Sequence, residues 1–295
     1  MMNQKKTVLV TGASGFIGSR LIASLAESGF NVVALSRKDV DFSDGKVVFG
    51  DFASLEDLHQ LDGLGIDVVI HLAGVTGDAN EEDCMTVNVA GTSRFMRYMI
   101  DLGVKKYVIA SSIAVVGCLT ADFMPDSLPI ADDHRCNSSN VYGLSKYCVE
   151  ETSKYFQKLE PSIDVTLFRI GVVLSEQAIP AGREKIESMW RPFCTLGCIS
   201  IHDVLQAFTL AAGLEVQPSL EIMNLVSDTV YSTIPTKDAL KLALGDRVEA
   251  LDLSYYETPG NEYAGIYRTA KVERALDFKA RIDLRTMKPV SGDVK

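Results

Sequence analysis

A β-branched run, Thr7–Thr11, passes directly into Gly12-Ala13-Ser14-Gly15-Phe16-Ile17-Gly18, and a helical periodicity continues from Phe16 to Ser28. Strand, glycine-rich turn and helix in this order are the setting of a dinucleotide-binding fingerprint. Gly12 permits the tight turn, Gly15 lets the backbone approach a pyrophosphate, and Gly18 lets helix and strand pack closely. The pyrophosphate then meets backbone N–H groups and the positive end of the helix dipole. Ser14, Phe16 and Ile17 complete the set of turn residues expected at the cofactor. The spacing is G-x-x-G-x-x-G, one residue longer than the G-x-G-x-x-G of many dehydrogenases.

The rhythm set by this unit continues through the first half of the chain. Strands are expected over Asn31–Ser36, Val47–Phe49, Asp67–Leu72, Lys106–Ser111 and Val165–Arg169. Helices are expected over Leu55–Leu61, Glu82–Leu102 and Val141–Leu159. Continuous apolar strands alternating with helices indicate an α/β fold, with a doubly wound parallel sheet covered on both faces. Ligands of such sheets bind at the carboxyl ends of the strands. After Arg169 the rhythm breaks. Ser175–Leu196 reads as irregular, followed by a helix over Asp203–Leu214, a strand over Glu221–Val226 and a helix over Thr236–Leu244. Tyr255–Tyr267 is turn-rich and polar. The expected organisation is a dinucleotide-binding domain over 1–170. Residues 171–295 form a small C-terminal substrate-binding lobe, with one or more segments returning to the sheet.

A chain of 295 residues with 47% hydrophobic content can build a sizeable core. Its net charge of -10 argues against nucleic-acid or anionic-membrane partners, which call for a basic patch. No apolar run approaches the roughly 18 residues a membrane span needs. A soluble cytoplasmic protein acting on a small molecule is therefore expected. The six cysteines, Cys84, Cys118, Cys136, Cys148, Cys194 and Cys198, are scattered. Cys194-x-x-x-Cys198 has no further ligand nearby in sequence, and the four histidines show no metal spacing. No metal is expected, and free buried thiols are.

Several strand ends carry chemistry. The second strand closes on Leu35-Ser36-Arg37-Lys38. An acid there would bond a ribose 2′-OH, whereas this cluster suits a 2′-phosphate through charge-assisted hydrogen bonds from Arg37. NADP(H) is favoured, and NAD(H) stays open because Asp39 or Asp41 is placed to reach a ribose. Gly50-Asp51-Phe52 follows the third strand, where Asp51 can accept from an adenine amino group or cap the next helix. The fourth strand ends in His71-Leu72-Ala73-Gly74, small residues that let a cofactor pass, with His71 reading as a buried hydrogen-bonding group. Asn88 is a polar residue on a mostly apolar helix face and suggests a buried hydrogen bond. Two hydroxyls, Ser111 and Ser112, end the fifth strand, and either can hold a substrate oxygen. Tyr142-Gly-Leu-Ser-Lys146 sets a phenol and an ammonium four residues apart on one helix face. Tyrosine and lysine ordinarily titrate near about 10 and 10.4, and a neighbouring cation lowers the phenol. Such a pair can exchange protons near neutral pH.

The ordered set TGASGFIG, GDF, HLAG, NVAGT, ASSIAVVG and YGLSK resembles the extended short-chain dehydrogenase/reductase superfamily. More narrowly, it resembles the NAD(P)-dependent epimerase/dehydratase family. The resemblance is strong through Arg169 and thinner afterwards, where SIHDV and YRTAK are similar to later signatures. It implies a Rossmann-type sheet and a triad of Ser112, Tyr142 and Lys146. It also carries over Phe52, Leu72, Ala73, Gly74, Asn88 and Ile170 as cofactor neighbours and Ile113 as a substrate neighbour. Helix-paired dimers are common in the family, so a homodimer is a possible assembly. Two departures bear on substrate. Sugar-nucleotide epimerases usually continue Leu-Arg-Tyr-Phe-Asn, but this chain has Phe168-Arg169-Ile170-Gly171-Val172, with valine at the asparagine's place. The loop between Leu174 and His202 is also short for a nucleotide pocket. These features are more similar to uronate dehydrogenases and small reductases. The expected activity is therefore an NADP(H)-preferring oxidoreductase on a small sugar-like or carbonyl substrate. Arg183 and Arg191 are candidate anchors for an anionic group. The alternatives are a sugar-nucleotide 4-epimerase with retained NAD and a non-catalytic dinucleotide sensor; the Tyr142–Lys146 pair argues against the sensor.

Overall fold

The computed structural model describes residues 5–290. Its strands are β1 (Thr7–Thr11), β2 (Asn31–Ser36), β3 (Lys46–Phe49), β4 (Val68–His71), β5 (Lys106–Ser112), β6 (Asp164–Ile170), β7 (Val172–Leu174), β8 (Cys198–Ser200) and β9 (Ser219–Leu225), followed by a two-residue antiparallel pair, β10 (Ile282–Asp283) and β11 (Lys288–Pro289). Seven of them form one Rossmann-type sheet in the order β3-β2-β1-β4-β5-β6-β9. β1 runs parallel to both neighbours, with Val8 opposite Val32 on one side and Val68 on the other. The central strands are apolar on both faces. Val8, Leu9, Val10, Val69 and Ile70 are fully buried, as a sheet covered on both faces requires. Strand order reverses between β1 and β4, and this switch point opens a crevice at their carboxyl ends. The glycine-rich turn sits there.

The helix Gly18–Glu27 buries Leu21, Ile22 and Leu25 on one face. Further along, Thr92–Asp101 buries Phe95, Met96, Met99 and Ile100. The long helix expected over Glu82–Leu102 is present in three parts. Glu81–Asp83 is α-helical, Cys84–Gly91 is a π-helix, and Thr92–Asp101 is α-helical again. The stretch 175–196, expected to be irregular, contains two single-turn helices, Arg183–Glu187 and Pro192–Thr195.

The chain divides into two compact units. The first comprises residues up to Ser111 with Leu144–Phe168 and Leu205–Ile222. Its core clusters Leu9, Val69, Phe95, Tyr107 and Leu167. A buried ion pair joins neighbouring strands within it: Lys106 Nζ lies 2.7 Å from Asp164 Oδ2, with side chains 4% and 8% exposed. The same oxygen accepts from the Gln217 backbone N–H.

The second unit comprises Ser112–Gly143, Arg169–Val204 and the residues from Met223. Phe123, Phe193, Tyr256 and Tyr267 belong to its core. Its connecting segments are fixed by buried polar groups. Arg169 Nη1 donates to the carbonyls of Asp132 and His134. Asn224 Nδ2 donates to those of Ile130 and Arg268. Asp203, fully buried, accepts from Ser200 Oγ and from the backbone of Arg281. β7 pairs in parallel with β8 in this unit. Among the described residues no helix is long and apolar enough to cross a membrane.

Removing one partner of a buried ion pair leaves the other charge uncompensated, at a cost of about 3–5 kcal/mol. Lys106→Ala is therefore expected to lower the urea midpoint by that equivalent at an unchanged denaturant slope. A midpoint within error of the wild type would contradict this account of the pair.

Candidate active site

Gly12 adopts φ +71°, and a Cβ built on it would lie 2.8 Å from the Ala73 nitrogen. At Gly18 the added carbon would fall 2.1 Å from the Gly12 carbonyl oxygen. No side chain fits at either place, so turn, strand end and helix start come within backbone contact of one another. The Gly15 N–H closes the turn on the Gly12 carbonyl at 2.9 Å. The helix then starts after Ile17 with no side-chain cap, leaving its first turn without a competing side-chain acceptor. Phe16 is 44% exposed, and the Arg20 guanidinium stacks on its ring.

A cleft of about 480 Å³ runs along this edge of the first unit, from the turn to Ser36–Lys38, Phe52, Leu72–Gly74 and Ala110. A dinucleotide fits the chemistry of its lining: N–H groups at a helix start, small residues beside the strands, and polar groups at the β2 end. Ser36 is buried and its Oγ accepts from the Lys38 N–H. Arg37 Nη1 lies 3.5 Å from Asp51 Oδ2, with the arginine side chain 68% exposed. Asp51 does not cap the next helix. Its Oδ1 accepts from the Ala53 N–H, and Ser54 caps Leu55–Leu58. Phe52 is nearly buried, edge-on to His71 and Phe95.

His71 is a structural hub. Its Nδ1 is 2.7 Å from Thr11 Oγ1 and its Nε2 is 2.9 Å from Thr92 Oγ1, which ties β1, β4 and the third helical segment together. Burial, with the Lys146 charge adding to it, pushes the imidazole down to about 3, so it is neutral at physiological pH. Thr11 Oγ1 also accepts from the Ala73 N–H. Asn88, 1% exposed and in the π-helix, clamps the same loop. Its Oδ1 accepts from the Val75 N–H at 2.8 Å, and its Nδ2 donates to the Val75 carbonyl and to Ser145 Oγ. A Cβ at Gly74 would meet Asn88 Oδ1 at 2.7 Å. Asn88 thus shapes the loop under the cleft and couples it to the helix Val141–Leu159.

The two serines at the end of β5 have different surroundings. Ser111 is 3% exposed and its Oγ donates to the fully buried Glu150 at 2.7 Å. Ser112 is half-buried, and its Oγ accepts from the Ala114 N–H as the cap of a 3-10 turn over Ile113–Val116. The helix Val141–Leu159 begins under Asn140, whose Oδ1 accepts from the Tyr142 and Gly143 N–H groups. A polar residue just ahead of a helix is a readable cap signal, and Asn140 escaped the sequence reading. A Cβ at Gly143 would lie 2.4 Å from the Ala114 carbonyl, so this glycine seats the helix start against the turn that follows Ser112. Tyr142 is half-buried. Lys146, one helical turn on, is 7% exposed and its Nζ donates to the Ala110 carbonyl at 3.0 Å.

The remaining expected positions are spread out. Ile170 and Ile113 are 7% and 2% exposed, and Ile113 lies in the apolar core of the second unit. Arg183 is bonded to Glu187 across one turn and is 70% exposed. Arg191 stacks on the exposed Trp190 ring at 4.2 Å, and its buried Nε has no hydrogen-bond partner. Among the described residues, no three His, Cys, Asp or Glu side chains converge as metal ligands.

Burial pulls the Lys146 ammonium down to about 8 from 10.5. Below about pH 8 the lysine is charged in both folded and unfolded chains, and the folded state bears the full cost of burying it. Between about 8 and 10.5 the folded state gives up the proton first, so stability rises with pH. Lys146→Met is expected to raise the melting temperature at pH 7, with the advantage shrinking as pH passes 8 toward 10. A constant difference across that range would show that the buried charge is not the cause.

The chain is similar to several known proteins. A protein of Methanocaldococcus jannaschii, provisionally named a UDP-glucose 4-epimerase, is 28% identical over 94% of both chains. The UDP-glucose 4-epimerase GEPI42 of Cyamopsis tetragonoloba is 31% identical over 57% of this chain and 52% of its own length. In fold, the chain resembles MoeE5, solved in complex with UDP-glucuronic acid and NAD, with a TM-score of 0.67 and 24% identity over 95% of this chain and 96% of that one. The family model described as NAD dependent epimerase/dehydratase matches residues 8–194. With the glycine turn, the strand-end loop and the Tyr142–Lys146 helix all inside that span, the chain belongs to the NAD dependent epimerase/dehydratase family.

Proposed function

We propose that the chain is a sugar-nucleotide 4-epimerase that keeps its NAD through the catalytic cycle. The observation that carries this reading is a similarity to an epimerase-named protein that extends over 94% of both chains, well past the cofactor-binding part. It replaces the expectation of a free-standing NADP(H) oxidoreductase as the leading reading.

The residues divide the work as follows. The Gly12–Gly18 turn and the helix behind it would hold the pyrophosphate. Leu72–Gly74, clamped by Asn88, would support the nicotinamide half. When bound, the nicotinamide accepts and returns hydride. Tyr142 takes the proton from the substrate hydroxyl as the carbonyl forms and gives it back to the same oxygen. Lys146 is held by the Ala110 carbonyl one turn from that phenol, and its positive charge favours the phenolate. Ser112 holds the substrate oxygen, while Ser111 is committed to Glu150. Arg191, with a buried nitrogen lacking a partner, is the better placed of the two arginines to anchor a substrate anion. We assign substrate recognition to the second unit, which carries Ser112, Tyr142 and Arg191.

A second reading is an NAD(P)-dependent dehydrogenase for a small sugar acid or carbonyl compound. Val172 at the place of the epimerases' asparagine, and the short loop before His202, favour it. Purified protein that carries NAD and interconverts UDP-glucose and UDP-galactose without external NAD(P)H change fits the epimerase. Stoichiometric NAD(P)H formation from a uronate or aldose would replace it with the dehydrogenase.

Tyr142→Phe is expected to lower kcat by about 10²–10⁴-fold with cofactor binding retained, the usual range for a positioned acid–base group. Full activity in this variant would remove the tyrosine from the chemistry. If the β2-end cations prefer a 2′-phosphate, Arg37→Ala weakens NADPH binding and leaves NADH nearly unchanged. Equal effects on both would leave Arg37 as a partner of Asp51 alone.

A further inference from the structure

Polar contacts fix the buried face of the helix Val141–Leu159 within the first unit. Ser145 Oγ accepts from Asn88 Nδ2 at 3.0 Å. Lys146 Nζ donates to the Ala110 carbonyl at 3.0 Å. One helical turn after Lys146, Glu150 Oε1 accepts from Ser111 Oγ at 2.7 Å. Glu150 is fully buried, and Ser111 is 3% exposed. Positions i and i+4 of one helix face thus reach two consecutive residues of β5.

These two β5 residues lie where the sheet gives less support. The parallel ladder between β4 and β5 ends at the pair His71–Ile109. On that side Ala110 and Ser111 lie beyond the last paired residue. The Ala110 carbonyl and the Ser111 nitrogen share one planar peptide unit. Anchoring the Ser111 side chain therefore limits the tilt of the carbonyl that receives Lys146. Burying a carboxyl is a costly way to join a helix to a strand, and apolar packing would join them at less expense. What the carboxyl adds is direction, because a short hydrogen bond fixes the orientation of the hydroxyl.

We propose that Glu150 is a positioning residue of the proton-transfer site: through Ser111 it holds the Ala110 carbonyl in place for the Lys146 ammonium.

The proposal rests on the acid–base reading of Tyr142 and Lys146. Two other titratable groups, Cys84 of the π-helix and His71 of β4, act on the Lys146 charge. Substitutions at 111 and 150 leave both in place. An ammonium held by a carbonyl keeps its proton more readily than a buried one without it. Loosening the carbonyl therefore lowers the Lys146 midpoint.

The test reads Lys146 directly, in the full chain without added substrate. Trace acetic anhydride labels each lysine in proportion to its unprotonated fraction. Peptide mass spectrometry from about pH 6 to 11 then gives the Lys146 midpoint, expected at about 8 in the wild type. Ser111→Ala and Glu150→Ala should lower it by about one unit, a tenfold shift in the protonation equilibrium. Glu150→Gln keeps an oxygen that accepts from Ser111, so it should retain the wild-type midpoint. In turnover, Ser111→Ala should lower kcat about tenfold with KM near the wild-type value. A midpoint unchanged or raised in Ser111→Ala, or full turnover in that variant, would overturn the proposal. So would a lowered midpoint in Glu150→Gln, since the charge and not the hydrogen bond would then act on Lys146. A lowered midpoint in Ser111→Ala, in a chain without epimerase turnover, would count against the epimerase reading alone. Where Glu150→Ala does not fold, Ser111→Ala, which removes a single oxygen, and the isosteric Glu150→Gln still decide the matter.

Discussion

The architecture turns on one close approach. At the carboxyl ends of β1 and β4, the Gly12 backbone lies so near Leu72 and Ala73 that a single methyl would collide with them. The same glycine's carbonyl is where a side chain at Gly18 would fall. Two glycines therefore bring a turn, a strand end and a helix start into mutual contact at the point where strand order reverses. The cleft of the first unit, lined by Gly12–Gly18, Ser36–Lys38 and Leu72–Gly74, runs past that contact. Around it, polar groups are satisfied within the protein: Thr11, His71 and Thr92 form one buried chain, and Asn88 spends its amide on the Val75 backbone and Ser145. The lining is thereby held by bonds internal to the protein, and a lining held in this way lowers the ordering cost of binding.

Much of this was legible in the sequence because it is local. Each central strand is a continuous apolar run that has only one way to be buried, and the glycine turn sits between a strand and a helix that both announce themselves. The helix Val141–Leu159 was readable end to end from its periodicity. Elements held by distant partners were not. β7 and β8 are three residues each, and each is a strand only because the other lies beside it. The π-helix left no mark in the hydrophobic pattern, since Cys84–Gly91 is apolar almost all round.

The site was legible in the same uneven way. Residue type alone left Ser111 and Ser112 interchangeable, and only the resemblance singled out Ser112. In three dimensions the period-2 alternation of β5 separates them: Ser111 turns inward to Glu150, and Ser112 caps the following turn. Asp51 had two readings in sequence, an adenine acceptor or a helix cap. The cap belongs to Ser54, whose side chain was as plausible a candidate in sequence and was passed over. Free buried thiols were expected; Cys84, Cys118 and Cys198 are buried, while Cys136, Cys148 and Cys194 are half-buried.

The π-helical stretch has a consequence for how this chain can vary in length. An α-helix advances about 100° per residue at 3.6 residues per turn, while wider i→i+5 winding takes up additional chain for the same rise. Deleting one residue between Cys84 and Gly91 would allow the segment to relax to ordinary α winding, and so the deletion would be cheap for the helix itself. The flanking α segments would keep their phase, because tighter winding over the remaining residues offsets the missing one. The change would fall inside the segment, where Asn88 would move relative to Val75. The segment is thus a length-sensitive joint, where insertions and deletions are read out by the loop under the cleft and not by the helix that contains them.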